Sequence, residues 1–241
     1  MISYNLARVL NPVCLLLLTA WPSSAQTTPS LSEIVRNMER AECERLAQLP
    51  QYSDIRRYKF SSERFKKSAS EMLVRSQHYA GQGTDFEVLS SQGADGISGR
   101  IFRHVMDAER DAGWHGENRV DSSNYNFELL GTESINGRDC YKLKLLPKKK
   151  TKFLLEGAAW IDRQDFGFVR IAGQPAASVS FWVSRPAITI DFEKVGELWL
   201  VARNRSLAQA RFLGRSELTI EYSGYTLANG ADVATRRYAS R

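Results

Sequence analysis

From residue 31 the apolar positions fall into a helical rhythm. Leu31, Ile34, Val35, Met38, Leu46 and Leu49 recur largely at spacings of three and four, Ser30 or Ser32 stands in front as a cap, and Pro50 stops the run. The period then changes to two, so that residues 52–60, 71–79 and 85–91 read as strands separated by polar or glycine-containing turns. Gly93, Gly96 and Gly99 bracket a loop before a second helix expected over residues 97–112. Ile97, Ile101, Val105, Ala108 and Ala112 mark one face of it, Phe102 and Met106 lie beside that face, and Arg103, Glu109 and Arg110 occupy the other. A polar loop is expected over 113–123. Beyond Tyr125 the chain reads as almost continuous strand: 125–135, 139–146, 153–162, 167–173, 178–192, 198–207 and 210–225.

The turns between these strands are legible. Asn136-Gly137 between two alternating runs is a strong hairpin signal. Lys148 to Thr151, Arg163 to Asp165, and Gly196 mark three more. Pro186 inside 178–192 implies an edge, a bulge or a break. In the last strand Phe212, Leu218, Ile220 and Tyr222 alternate with Arg211, Arg215, Glu217, Thr219 and Glu221, giving one apolar and one wet face. About ten strands and two helices in this order predict an α+β domain. Its single large antiparallel sheet curls into an open or half β-barrel, with the helices covering the concave face. The domain spans residues 26–227, and residues 228–241 form a polar C-terminal tail.

The first 25 residues read differently. Arg8 is the only charge before Glu33, residues 13–20 (VCLLLLTA) form a short apolar run, and Ser23, Ser24 and Ala25 make a small-residue exit. This pattern predicts a cleaved secretory signal peptide over 1–25, since a membrane anchor needs about 20 apolar residues. The mature chain is therefore expected outside the cytoplasm, in a bacterial periplasm. There Cys43 and Cys140 have the choice of pairing or remaining two separate thiols, and spacing alone leaves both open.

Composition excludes more than it assigns. The chain has 241 residues, 43% hydrophobic, 25% charged and 10% aromatic, with a formal charge of +6, which is ordinary for a globular domain. Three cysteines and three histidines (His78, His104, His115), with no HExxH and no Cys-x-x-Cys, give no metal site and no cofactor. There is no G-x-S-x-G, the three glycines lack the Lys-Ser/Thr of a phosphate loop, and Asp162/Asp165 sit where a hairpin should turn. No catalytic residue is assigned, and no enzyme is expected. Nucleic acid is not an expected partner, because no aromatic-interleaved basic motif is present.

Two features remain. Lys148, Lys149, Lys150 and Lys152 form a positive hairpin tip, read either as a solvated loop or as a peripheral contact with an anionic membrane surface. The later strands are rich in aromatics, which either fill an ordinary core or line an apolar groove for acyl chains. The candidate groove and lid residues are Ile101, Val105, Met106, Trp160, Phe168, Trp182, Phe192 and Trp199.

Residues 124–225 resemble the LolA-like outer-membrane lipoprotein-sorting proteins, the superfamily that includes LolA, LolB and the RseB/MucB sensors. The resemblance is carried by LGTESINGRDCYKL from Leu130, WIDRQDF from Trp160, FVRI from Phe168, LWLV from Leu198 and GRSELTIEY from Gly214; Tyr52 and Arg57-Tyr58 fit the first strand. It implies an open barrel under helices, an apolar cavity, and a monomeric carrier that holds acyl chains of lipoproteins or other lipids for outer-membrane sorting. An envelope membrane-protein partner follows from that role. The alternative it implies is an RseB-like sensor or adaptor that binds lipid or protein without transport.

Overall fold

The computed structural model describes residues 29–64, 70–81, 83–93, 96–115, 118–179, 184–228 and 232–233. The expected signal peptide, most of the tail and Trp182 lie outside them. Helix α1 spans Leu31–Gln48, and the first three strands are β1 (Gln51–Ser62), β2 (Ser70–Tyr79) and β3 (Gly83–Gln92). Helix α2 is Ile97–His115. A seven-strand run follows: β4 (Tyr125–Ile135), β5 (Arg138–Pro147), β6 (Leu155–Asp162), β7 (Phe168–Pro175), β8 (Ala187–Val195), β9 (Leu198–Ala210) and β10 (Gly214–Leu227). A two-residue strand from the tail, β11 (Asp232–Val233), pairs with the end of β10.

All strand pairs are antiparallel, in the order β3-β2-β1-β10-β9-β8-β7-β6-β5-β4, so β3 and β4 are the two open edges of an unclosed sheet. This is the curved α+β sheet the periodicity predicts. Ser30 caps α1: its hydroxyl accepts from Glu33 N, and the Glu33 carboxylate accepts in return from Ser30 N at 2.8 Å. At the β4–β5 turn Asn136 (φ 52°) and Gly137 (φ 78°) adopt the left-handed pair that a tight hairpin requires.

Three expectations are corrected. Helix α2 continues through His115, three residues past its expected end, and takes up the start of the expected polar loop. Of the expected strand over 178–192, the described strand is Ala187–Val195, and residues 180–183 lie outside the described residues. Residues 184–186 are not strand, and Pro186, with no N–H to donate, stands just outside the ladder. Phe212 is not on the apolar face of the last strand; it sits in the β9–β10 turn and is 65% exposed.

Side-chain alternation divides the sheet into two unlike faces. One row of aligned partners on the concave face reads Leu143, Ala159, Ile171, Ile190, Asn204, Ile220, Tyr58 and Met72. Helix α1 covers the β4–β7 half of this face, where Ile34 and Met38 are fully buried among Tyr125, Tyr141, Leu143, Leu145, Ile161 and Phe168. Helix α2 covers the other half with Phe102 and Met106, against Tyr58, Phe60, Met72, Val74 and Ile220. The convex face is laced with ion pairs, among them Arg170–Asp191–Arg203 at 2.6 and 3.0 Å, Lys59–Glu221 at 3.0 Å and Arg205–Glu217 at 2.6 Å. The more exposed of these, such as Arg205–Glu217, contribute about 0–1 kcal/mol, whereas Asp191 is buried between its two arginines. The main drive for the fold is therefore the apolar area buried under the two helices.

Candidate functional site: the concave face between the helices

Each helix is anchored over its own half of the sheet, and the middle of the concave face is less completely covered. Ile188 and Ile190 on β8, Asn204 and Ser206 on β9, and Leu218 on β10 share that face and are all half-buried, whereas Leu143, Ala159 and Ile220 in the flanking halves are buried. Asn204 Oδ1 is shielded from solvent yet accepts no hydrogen bond among the described residues. Gly157 and Gly173 oppose each other on neighbouring strands. A Cβ on either would lie 2.1 or 2.5 Å from a backbone oxygen across the pair, so both positions exclude side chains and keep this part of the sheet shallow.

At one end of the strip a pocket of about 250 Å³ opens between the C-terminal half of α1 and the ends of β7, β8 and β9. Phe168, Phe192 and Trp199 supply its aromatic wall, with Phe168 and Phe192 tilted against each other at 6.0 Å. Its rim is charged: Arg45 donates twice to Glu42 at 2.7 Å, and Lys194 pairs with Asp165 at 3.0 Å and Glu197 at 3.4 Å. The β6–β7 turn builds one side. Asp162 Oδ1 accepts from Gln164 N and Asp165 N, which supports the turn reading of this acidic pair, and Arg138 Nη1 donates to Asp162 Oδ2 at 3.0 Å. The same turn holds Phe166 at φ 58°, an uncommon conformation for an aromatic residue, with its ring stacked on Tyr141 at 6.3 Å.

Under α2 lies a polar cluster that the periodicity did not single out. Arg56 on β1 is 5% exposed; its Nε donates to Asp54 Oδ1 at 2.8 Å and its Nη1 donates to Glu109 Oε2 on α2. Ser76 Oγ donates to the same Asp54 oxygen at 2.6 Å. The guanidinium lies 5.3 Å from the Phe86 ring centroid and 5.0 Å from that of Tyr222. Burial opposes the charge on Arg56, but Glu109 and Asp54 outweigh it and hold the group firmly protonated. Burial likewise pushes the Tyr52 hydroxyl up to about 12, and it pushes Tyr222 and Tyr225 well above the usual tyrosine range. Arg56 thus ties α2 to the sheet through one charge-assisted contact with Glu109.

The nominated groove residues separate into groups. Phe168, Phe192 and Trp199 come together at the pocket. Ile101 and Val105 are half-buried against the α2 core, and Met106, 6% exposed, belongs to that core. Trp160 lies on the convex face, where its Nε1 donates to Glu133 at 3.0 Å and Lys142 Nζ sits 4.9 Å from its ring. Lys148, Lys149, Lys150 and Lys152 are exposed at the β5–β6 connection, away from the pocket. Cys43 is exposed, Cys140 is buried, and the two thiols are not joined. Among the described residues no group of three His, Cys, Asp or Glu is placed to hold a metal ion, and no helix is long and apolar enough to cross a membrane.

No known family profile matches the sequence. No curated protein matches it either. Solved structures with a similar chain path include a LolA superfamily protein from Nitrosomonas europaea, at 11% identity and TM-score 0.47, covering 83% of this chain and 94% of that one. A DUF1329 family protein from Desulfovibrio piger matches at 15% identity and TM-score 0.47, over 85% and 95% of the two chains. A putative outer membrane lipoprotein-sorting protein domain from Vibrio parahaemolyticus matches at 12% and 0.45, over 82% and 94%.

Proposed function

We infer that the protein is an exported lipid-binding carrier of the bacterial envelope. It holds an acyl chain of a lipoprotein or other lipid on the concave face of its sheet and releases it to an envelope partner. The observation that supports this reading most directly is the half-buried strip from Ile188 and Ile190 to Leu218, lying between two separately anchored helices and close to an aromatic-walled pocket. Burying a methylene stabilises by about 0.8 kcal/mol, so a few carbons laid along such a strip give measurable yet reversible binding. Helix α2 acts as the cover, with Arg56–Glu109 as its tie, and Ile101 and Val105 as the side chains nearest the cargo. The N-terminal pattern over residues 1–25 supports export to the periplasm.

The test is binding of a fluorescent fatty-acyl probe by delipidated protein, together with mass spectrometry of lipids extracted from protein purified from its native envelope. Ile188→Glu and Ile190→Glu should abolish probe uptake and leave a folded protein by circular dichroism. Absence of co-purifying lipid, combined with no probe uptake by the unsubstituted protein, would sink the carrier reading. N-terminal sequencing of the same material should begin at Gln26; retention of Met1 to Ala20 would remove the export step.

A further inference from the structure

Antiparallel order brings alternate turns to the same end of the sheet, and one of these ends has an unusual composition. It collects the β5–β6, β7–β8, β9–β10 and β1–β2 connections and the passage from β3 into α2. Hydrogen bonds link the described parts of these tips to one another. Ala177 N donates to Thr151 O at 3.1 Å, joining the first two, and Ser184 N donates to Gln209 O at 3.0 Å, joining the second to the end of β9. Arg64 Nη1 donates to Phe212 O at 3.1 Å, joining the β9–β10 and β1–β2 tips, and Ser70 Oγ donates to Gly93 O at 2.6 Å, reaching the start of α2.

Among the described residues along this rim the exposed charges are predominantly positive. The β5–β6 connection carries Lys148, Lys149, Lys150 and Lys152. Arg185, Arg211, Arg215 and Arg64 follow on the neighbouring tips, and Arg100 stands in the first turn of α2. The exposed acids beside them are Glu63, whose carboxylate accepts from Arg215 N, and Glu156, 3.7 Å from Arg185. Two large apolar side chains project from the same rim, Phe212 at 65% and Ile97 at 46% exposure. The opposite rim is mixed in sign, with Asp139, Asp165 and Glu197 among Arg138, Arg163 and Lys194. A predominantly basic border with apolar tips complements an anionic bilayer, whose surface attracts Lys and Arg and whose interface accepts an aromatic ring.

We propose that this rim docks the protein on an anionic lipid surface, with the lysine tip and arginines at the headgroups and Phe212 entering the interface. The docking is independent of the carrier reading, because the rim residues do not line the pocket.

The test is co-sedimentation of the protein with phosphatidylcholine vesicles, with and without phosphatidylglycerol, at low and high salt. Binding should require phosphatidylglycerol and weaken as salt screens it. Changing Lys148, Lys149, Lys150 and Lys152 together to Ser should lower the partition coefficient about tenfold or more at low salt. A control with Arg36, Arg40, Arg75 and Arg110 changed to Ser removes the same charge elsewhere and should retain most binding. Phe212→Cys in a Cys43→Ser background, labelled with an environment-sensitive dye, should shift to the blue on phosphatidylglycerol vesicles. Uptake of the acyl probe should be unchanged in all of these variants, so failure of docking and failure of the carrier reading remain separate results. Equal losses in the rim and control variants, a dye that stays in water, or no vesicle binding would each overturn the proposal.

Discussion

Gly167→Ala is a one-methyl test of the pocket wall. Gly167 has no positive φ, so alanine suits the backbone and only space decides the outcome. An added Cβ would lie 2.3, 2.4 and 2.7 Å from Cδ1, Nε1 and Cγ of Trp199, far inside contact distance. The indole cannot easily retreat: Trp199 is 6% exposed, and the Arg138 guanidinium stands 4.9 Å from its ring. Overpacking a rigid site costs about 1–3 kcal/mol, and a domain of this size loses about 2–4 °C of Tm per kcal/mol. The assay is thermal unfolding of Gly167→Ala, Trp199→Leu and the double variant, with tryptophan emission as a second readout. Trp199→Leu should itself destabilise, and the methyl should cost markedly less in its presence, giving a non-additive cycle. A Gly167→Ala protein with unchanged Tm and emission would refute the tight approach and the wall built on it.

Other outcomes follow from the buried groups. Arg56→Ala leaves Asp54 buried beside Ser76 with its countercharge gone and should cost about 3–5 kcal/mol, read by denaturant titration; Glu109→Gln should be milder and should loosen α2 in hydrogen exchange. Met106→Ala, in the core, should cost about 2–5 kcal/mol, whereas Ile101→Ala should lower acyl-probe uptake more than it lowers Tm. Burial, with Arg56 adding to it, depresses His78 below the ordinary histidine value of 6.5, so the unfolded chain binds the proton first. Its contribution is present above that value and is lost as the pH falls through the folded pKa, and His78→Gln should reduce that part of the acid loss. Of Cys43 and Cys140, only Cys43 should react quickly with a thiol reagent in the native state. Cys140 is buried, and burial pushes its thiol up to about 11.

Periodicity carried most of the fold, because strands such as β1, β2 and β5 alternate buried and more exposed positions and the turns are chemically marked. It failed where that condition lapsed. Composition carries the expected strand through Pro186, but residues 184–186 are not strand and β8 runs from Ala187, because composition does not show where pairing begins. Phe212 fits the alternation of the strand behind it, yet the turn between Ala210 and Gly214 contains no Asn-Gly or Asp-Gly to mark its position. The Arg56 cluster was the larger omission. Asp54 and Arg56 look like solvated positions in a strand, yet both are buried, and the α2 partner of Arg56 is Glu109, 53 residues away. Trp160 illustrates the limit for candidate sites: aromatic character alone does not say which face a residue takes, and one position of parity put it on the convex side with Glu133 and Lys142.

The pairing of β1 with β10 has a consequence for how the chain must be made. The strands from β4 to β10 form a simple meander, each able to add to the one before it. The three N-terminal strands join this meander only through β1, by contacts such as Lys59 with Glu221 across a sequence separation of 162. Such long-range closure is slow compared with hairpin formation. Until Gly214–Leu227 has been synthesised and delivered, β1, paired with β2 on one side, presents its other edge unpaired, a template for any other strand. A chain cut short before Gly214 therefore loses more than its last strand: β1 and β9 are both left with a bare edge where that strand should lie.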